Sequence, residues 1–193
     1  QAQMDYLKYQ INPHFFMNTL NNIHAMIDFD SQTAKRCVIE LSKMMRYVLY
    51  DTDSDRTTLD KEIQFLGNYI ELMRIRYVDD VDIRFEHPSA TVARGVVVPP
   101  LLLIVFVENA FKHGVSYDAP SFIHIDISLA GGELRYRVVN SRHKRQEKRG
   151  GVGLENVRKR LSLLFGKRHT LAIDTSREDV YEINLSIPVK NHG

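Results

Sequence analysis

The stretch QINPHFFMNTLNNIH, Gln10 to His24, places a histidine directly behind a proline in a segment whose other residues favour helix. An imidazole is a good nucleophile near neutral pH and one of the side chains that forms covalent intermediates. At about 100° per residue, Phe16, Leu20, Ile23 and Ile27 fall on one stripe of that helix. His14, Asn18, Asn21 and Ala25 fall on nearly the opposite side, so His14 is expected to point to water. Pro13 lacks an amide hydrogen and clashes with the carbonyl four residues back, which predicts a kink and a freed carbonyl beside the imidazole. An ordinary surface histidine behind a helix-starting proline competes with the nucleophile reading, and geometry alone favours the ordinary one.

Two further segments hold chemistry. PPLLLIVFVENAFKHG is apolar for most of its length and then carries Glu108, Asn109, Lys112 and His113 in its last two turns, on one contiguous arc of a helix. A carboxylate, a carboxamide, an amine and an imidazole gathered on a mostly buried helix suit a hydrated Mg-phosphate. The plainer reading is a Glu108–Lys112 pair at i,i+4 on a solvated face, which the apolar remainder of the helix argues against. In KRGGVGLENVRKRL, Gly150, Gly151 and Gly153 allow close backbone approach at the start of a helix striped by Leu154, Val157, Leu161 and Leu164. Free amides and the positive end of the dipole at such a start bind phosphate. The basic run RHKRQEKR before it reads as a solvated loop in isolation, and as a lid over a polyphosphate beside the glycines. A lone Gly-x-Gly is weak evidence, and its value here lies in the company of the other segment.

The elements that must position these groups follow from periodicity. Ala34, Val38, Leu41, Met45 and Val48 make one helical stripe, with Ser31 as the expected N-cap; Leu59, Ile63, Leu66, Ile70, Met73 and Tyr77 make another, behind Thr58 and Glu62. DTDSDRTT between them is a polar break, and nothing strand-like precedes Val78. After Asp80 the period changes to two: VDIRFEH, FIHIDISL, ELRYRVVN, HTLAID and VYEINLSIP are predicted strands, the second and third joined at Gly131-Gly132. Helices over roughly Pro99 to Gly114 and Gly153 to Phe165 interrupt them. The predicted class is α+β: a helical hairpin and connector over residues 1–78, then an α/β sandwich over 79–193.

Composition excludes little. Of 193 residues, 44% are hydrophobic, enough for a compact core, and a net charge of +2 points to neither direct nucleic-acid binding nor an acidic tail. The single cysteine, Cys37, makes no internal disulfide and suits a reducing, cytoplasmic compartment. The longest apolar run, Val96 to Val107, is far shorter than the ~20 residues of a membrane helix. Starting at Gln1 with a helix already under way, the chain is expected to be part of something longer. The eight histidines show no zinc-ligand spacing with a cysteine or carboxylate.

In that order and spacing, NPHFFMNTLN, VENAFKHG and GGVGLENVRKRL resemble the LytS-like, autolysin-regulator type of sensor histidine kinase, over about Tyr6 to Pro188. TTLDKEIQFLGNYIELMRIRY looks like that family's connector. The resemblance implies that His14 is the phospho-acceptor and that VENAFKHG is the N box of a Bergerat-type (GHKL) ATPase domain binding ATP and Mg²⁺. It puts Mg²⁺ on Asn109, sets Glu108, Lys112 and His113 near the phosphates, and brings Gly151, Gly153 and Leu154 to them through their amides. It further implies a homodimer whose hairpins form a four-helix bundle, a membrane sensor region upstream, and a response regulator, often with a LytTR DNA-binding domain, whose aspartate takes the phosphoryl group.

Three positions depart from the commoner patterns. Where such domains carry Asp-x-Gly-x-Gly, RVVNSRHKR has Asn140, whose carbonyl can still accept from an adenine amine without a charge. HFFMN replaces HFLFN at similar apolar volume. Phe15 stands where the commoner histidine kinases hold a carboxylate base, so the base is not read from that position. The expected activity is ATP-dependent autophosphorylation of His14 and transfer to an aspartate of another protein, with a hinge near Val78 to Asp82. Its rivals are a non-catalytic dimeric nucleotide sensor and an ATP hydrolase of the same fold in which Glu108 activates water.

Overall fold

The computed structural model describes residues 13–52, 54–77, 81–143 and 152–191. Helices α1 (Pro13–Met26) and α2 (Ser31–Arg46) form an antiparallel hairpin, and α2 runs on into a π-helical turn, Tyr47–Asp51. A two-residue strand, β1 (Thr57–Thr58), leads into the long connector α3 (Leu59–Arg76). Then follow β2 (Val81–Glu86), the single turn α4 (Ala90–Ala93), β3 (Val96–Val98), α5 (Ile104–Gly114), β4 (Ser121–Ala130), β5 (Glu133–Ser141), α6 (Val152–Phe165), β6 (Thr170–Asp174), β7 (Val180–Pro188) and β8 (Lys190–Asn191).

The main sheet has the order β2-β4-β5-β7-β6, with β2 and β4 parallel and the other neighbours antiparallel. Gly131 and Gly132 close the β4–β5 hairpin at φ 59° and 78°, a conformation that strongly favours residues without Cβ. The alternation along β4 and β5 turns Ile123, Ile125, Ile127, Leu134, Tyr136 and Val138 into the core beneath α5. The class is α+β, helices against a mixed sheet, as the change of period near Asp80 predicts.

Four local expectations are corrected. Asp30, not Ser31, caps α2, accepting from the Thr33 amide at 3.2 Å; Ser31 is already helical. The polar break does contain a strand: Thr57 and Thr58 pair antiparallel with Val98 and Val97. Helix α5 begins at Ile104 rather than near Pro99, because two prolines and a left-handed Leu101 (φ 57°) delay it. In the hairpin the packed rows are Phe15, Thr19 and Ile23 on α1 and Ala34, Cys37, Leu41 and Met44 on α2, whereas Leu20, Ile27, Val38 and Met45 lie exposed. Thr19 tolerates burial because its hydroxyl donates to the Phe15 carbonyl at 2.7 Å.

Helix α3 is buried on most of its circumference, from Leu59 through Met73, and sits between the hairpin and the sheet domain. It is rooted in the latter by the β1–β3 pairing and by Arg74, which donates to the Ile83 carbonyl at 3.0 Å. Residues 78–80, where the sequence suggests a hinge, lie outside the described residues.

At its first turns α3 buries Glu62 completely. Burial pushes this carboxyl from 4.5 up to about 7, against the pull of hydrogen bonds from Tyr47 and the Leu101 amide and of the Arg160 charge. The folded chain therefore keeps a proton that the unfolded chain releases above about pH 4.5. Stability is expected to fall as pH rises from 4.5 to 7 and to level off beyond, by up to roughly 3 kcal/mol from this group. Urea unfolding across that range should show Glu62→Gln lacking this part of the slope.

Candidate active site

Helix α5 buries Ile104, Phe106, Val107, Ala110, Phe111 and Gly114. That fixes its rotation and leaves Val105, Glu108, Asn109, Lys112 and His113 on the outer arc. Lys112 is exposed, while Glu108, Asn109 and His113 are half-buried. Burial alone pushes the Glu108 carboxyl up to about 7, a value suited to a general base near neutral pH. Burial, then the neighbouring Lys112 charge, pulls His113 below its ordinary value.

Helix α6 packs against α5 with its N-terminal end beside this arc. A Cβ on Gly153 would stand 3.7 Å from Val105 Cγ1, so the second residue of α6 faces the turn of α5 just before Glu108 and Asn109. First-turn amides have no partner within their helix, and those of α6 lie at the end that packs beside Val105. Leu154 buries its side chain, which anchors that first turn. Gly150 and Gly151 lie outside the described residues, as does most of the basic run after His143.

The far end of α5 is held by β5. The Ser141 hydroxyl donates to the Gly114 carbonyl at 2.6 Å, and the Asn140 amide nitrogen donates to the Ser141 carbonyl at 2.9 Å. Asn140 is 2% exposed, and its amide orientation is set by that bond. It presses on Gly114 so closely that a Cβ there would lie 2.8 Å from Asn140 Cβ. Gly114→Ala is therefore expected to displace Asn140 and to cost about 1–3 kcal/mol of stability, read by urea unfolding. Gly153→Ala meets only an ordinary contact and should leave the melting temperature unchanged.

His14 is exposed near the start of α1. Its neighbour Phe15 packs on Tyr69 of α3 at 4.8 Å between ring centroids, and Tyr69 meets Phe111 of α5 edge-on at 5.8 Å. Burial first, then the Glu108 charge, pushes the Tyr69 hydroxyl well above its ordinary range. One connector helix thus touches both the residue beside His14 and the helix of the polar arc. The sequence reading missed Tyr69, whose aromatic ring at a helical core spacing carries no functional signal. It also missed Gly114, whose need for glycine arises from a strand distant in sequence.

Residues 2–81 match the family model described as "Histidine kinase". The chain is 30% identical to the sensor protein LytS of Staphylococcus saprophyticus over 98% of its own length and 34% of that protein's. Over nearly its whole length this chain is similar to the LytS-like sensor histidine kinases. A sensor histidine kinase/phosphatase LytS of Staphylococcus aureus is 29% identical, covering 91% of this LytS-like chain and 32% of its own. The LytS-like chain thus spans about a third of the length of these relatives. Among solved structures, the histidine kinase domain of a blue-light-activated histidine kinase from Erythrobacter litoralis superposes with a TM-score of 0.53 at 17% identity, covering 97% of this chain and 93% of that one. The catalytic domain of the histidine kinase ThkA gives 0.51 at 20% identity over 69% of this chain and 94% of its own. These last two likenesses concern the fold.

Among the described residues no group of histidines, cysteines and carboxylates is arranged to hold a metal by itself. The donor set of the arc, a carboxamide beside a half-buried carboxyl, fits instead an ion that keeps part of its oxygen shell from phosphate and water. No helix among the described residues is long and apolar enough to cross a membrane.

Proposed function

We propose that this chain is the kinase region of a sensor histidine kinase: it binds ATP with Mg²⁺, phosphorylates His14 and passes the phosphoryl group to an aspartate of a response regulator. The observation that carries the proposal is the packing of the α6 N-terminal turn, at Gly153, against Val105 of α5, one turn before Glu108 and Asn109 on the polar arc. In this reading Asn109 would hold Mg²⁺, which supplies charge neutralisation on the phosphate oxygens. Lys112 and His113 meet the phosphates from α5, the amides of Gly153 and Leu154 meet them from α6, and the amide of Gly151 is proposed to join them. The Asn140 carbonyl accepts from the adenine amine.

A ring nitrogen of His14 attacks the γ-phosphorus in line, the bond from that phosphorus to the ADP oxygen breaks, and ADP departs. The proton on the attacked imidazole passes to the Glu108 carboxylate, whose raised pKa fits it to take one near neutrality. In the second step the phosphorus–nitrogen bond breaks as a carboxylate oxygen of the regulator forms the new bond.

Residues 1–78 are proposed as the acceptor and dimerisation part with its connector, and 79–193 as the nucleotide part. The exposed apolar row Leu20, Ile27, Val38, Ile39, Met45 and Leu49 on the hairpin supports pairing of two copies into a four-helix bundle. The whole protein is proposed to be anchored in a bacterial membrane with this part on the cytoplasmic side, and its regulator to be of the LytTR type. Pre-labelled protein, freed of ATP and mixed with a receiver domain, should lose label to the receiver within minutes. Phosphate released from ATP by His14→Gln as fast as by wild type, with no label on either protein, would favour the hydrolase reading.

A further inference from the structure

The polypeptide is most constrained just before α5. Leu101 has φ 57°, and it is the one non-glycine residue among those described with positive φ, a conformation costly for a side chain with a Cβ. Three elements hold this turn. Glu62 of α3 accepts from the Leu101 amide at 2.6 Å. Arg160 of α6 donates to the Pro100 carbonyl at 2.6 Å, and Tyr136 of β5 donates to the Leu103 carbonyl at 3.0 Å.

The Glu62 oxygen that takes the Leu101 amide also takes the Tyr47 hydroxyl, at 2.7 Å. Tyr47 is the first residue of the π-helical turn that ends the hairpin, and its ring lies on Phe65 at 4.9 Å. One carboxylate oxygen therefore receives a donor from the hairpin and a donor from the turn that launches α5. The other titratable groups that feel this carboxyl are Arg160, with Asp55 acting on that guanidinium in turn, and Tyr136. Among the described residues, Glu62 Oε2 and Arg160 Nε are both buried without a hydrogen-bond partner, as is Asp60 Oδ1 nearby in sequence. Such orphaned atoms are costly, so the packing around this joint has to hold them in place.

We infer that Glu62 is a positioning residue: it fixes the Leu101 turn, and thereby the seat of Glu108 and Asn109 on α5, to Tyr47 at the end of the acceptor hairpin. The tie itself rests on geometry alone; its consequence for nucleotide rests on the proposed function. A change at the end of α2 then reaches α5 through two hydrogen bonds on one atom, beside the ring contact of Tyr47 with Phe65. Arg160 extends the same joint to α6, so both phosphate-facing helices are referred to it.

Hydrogen exchange of the whole chain, read by peptide, tests this for wild type, Tyr47→Phe and Glu62→Gln, each with and without Mg-ATP. Tyr47→Phe should raise exchange across 101–110 about tenfold, the equivalent of one lost hydrogen bond, while the β4–β5 hairpin exchanges as in wild type. Glu62→Gln keeps an acceptor oxygen for both donors and should restore protection near the wild-type level. Unchanged exchange over 101–110 in Tyr47→Phe, or a rise spread equally over β4 and β5, would overturn the inference, the second by reducing Tyr47 to a general packing residue. Added Mg-ATP should slow exchange over 101–110 in wild type, and less so in Tyr47→Phe. If wild type shows no response to Mg-ATP, the nucleotide reading fails, while the first comparison still decides the tie.

Discussion

Glu108→Gln should slow the phosphorylation of His14 by about 10²- to 10⁴-fold while ATP binds nearly as well as to wild type. The amide matches the carboxyl in shape, so the half-buried position on α5 remains filled. What it removes is a group that can take a proton, in surroundings that hold the carboxyl near neutrality by burial. Steady-state labelling at varied ATP separates the alternatives: a fall in kcat with KM unchanged assigns proton transfer to Glu108. An equal loss of ATP affinity would make it a nucleotide-holding group instead. The position after His14 is Phe15, and its ring is engaged with Tyr69, so the base has to come from another element.

Asn109→Ala should lower Mg-dependent ATP affinity by about 100-fold or more and abolish labelling. Asn109 lies outside the packed face of α5, so the melting temperature is expected to hold. Titration in Mg²⁺ and again in chelator gives the test: wild type should lose most of its affinity on chelation, and the variant should lose little. Equal Mg dependence in the two proteins would remove Asn109 from the ion's shell and leave Glu108 as the nearest donor.

The polar arc of α5 was legible because helix geometry and composition agree: apolar residues take all the remaining directions, so four polar side chains have one way to face. The strands were legible for the same reason at period two, and the Gly131-Gly132 turn because few other residues adopt its φ. The hairpin was less so. Its α1 and α2 each carry apolar residues on more than one row, and periodicity does not tell which row packs within the chain: Leu20 and Val38 stay outside while Thr19 and Cys37 go in.

Glu62 was hidden by its company. An acid four residues behind Thr58 looks like part of a helix start, and only the tertiary structure brings it to Leu101, 39 residues away. Asn140 was found from motif position, but its grip on the end of α5 depends on Gly114 and Ser141, which the sequence does not connect.

The proposed kinase activity requires that His14 be the residue that carries the phosphoryl group. Purified chain incubated with γ-labelled ATP and Mg²⁺, beside His14→Gln, should carry label that is lost in acid and kept in alkali, and the variant should carry none. Label of that stability persisting in His14→Gln, or wild-type protein that binds ATP and acquires no label, would contradict it.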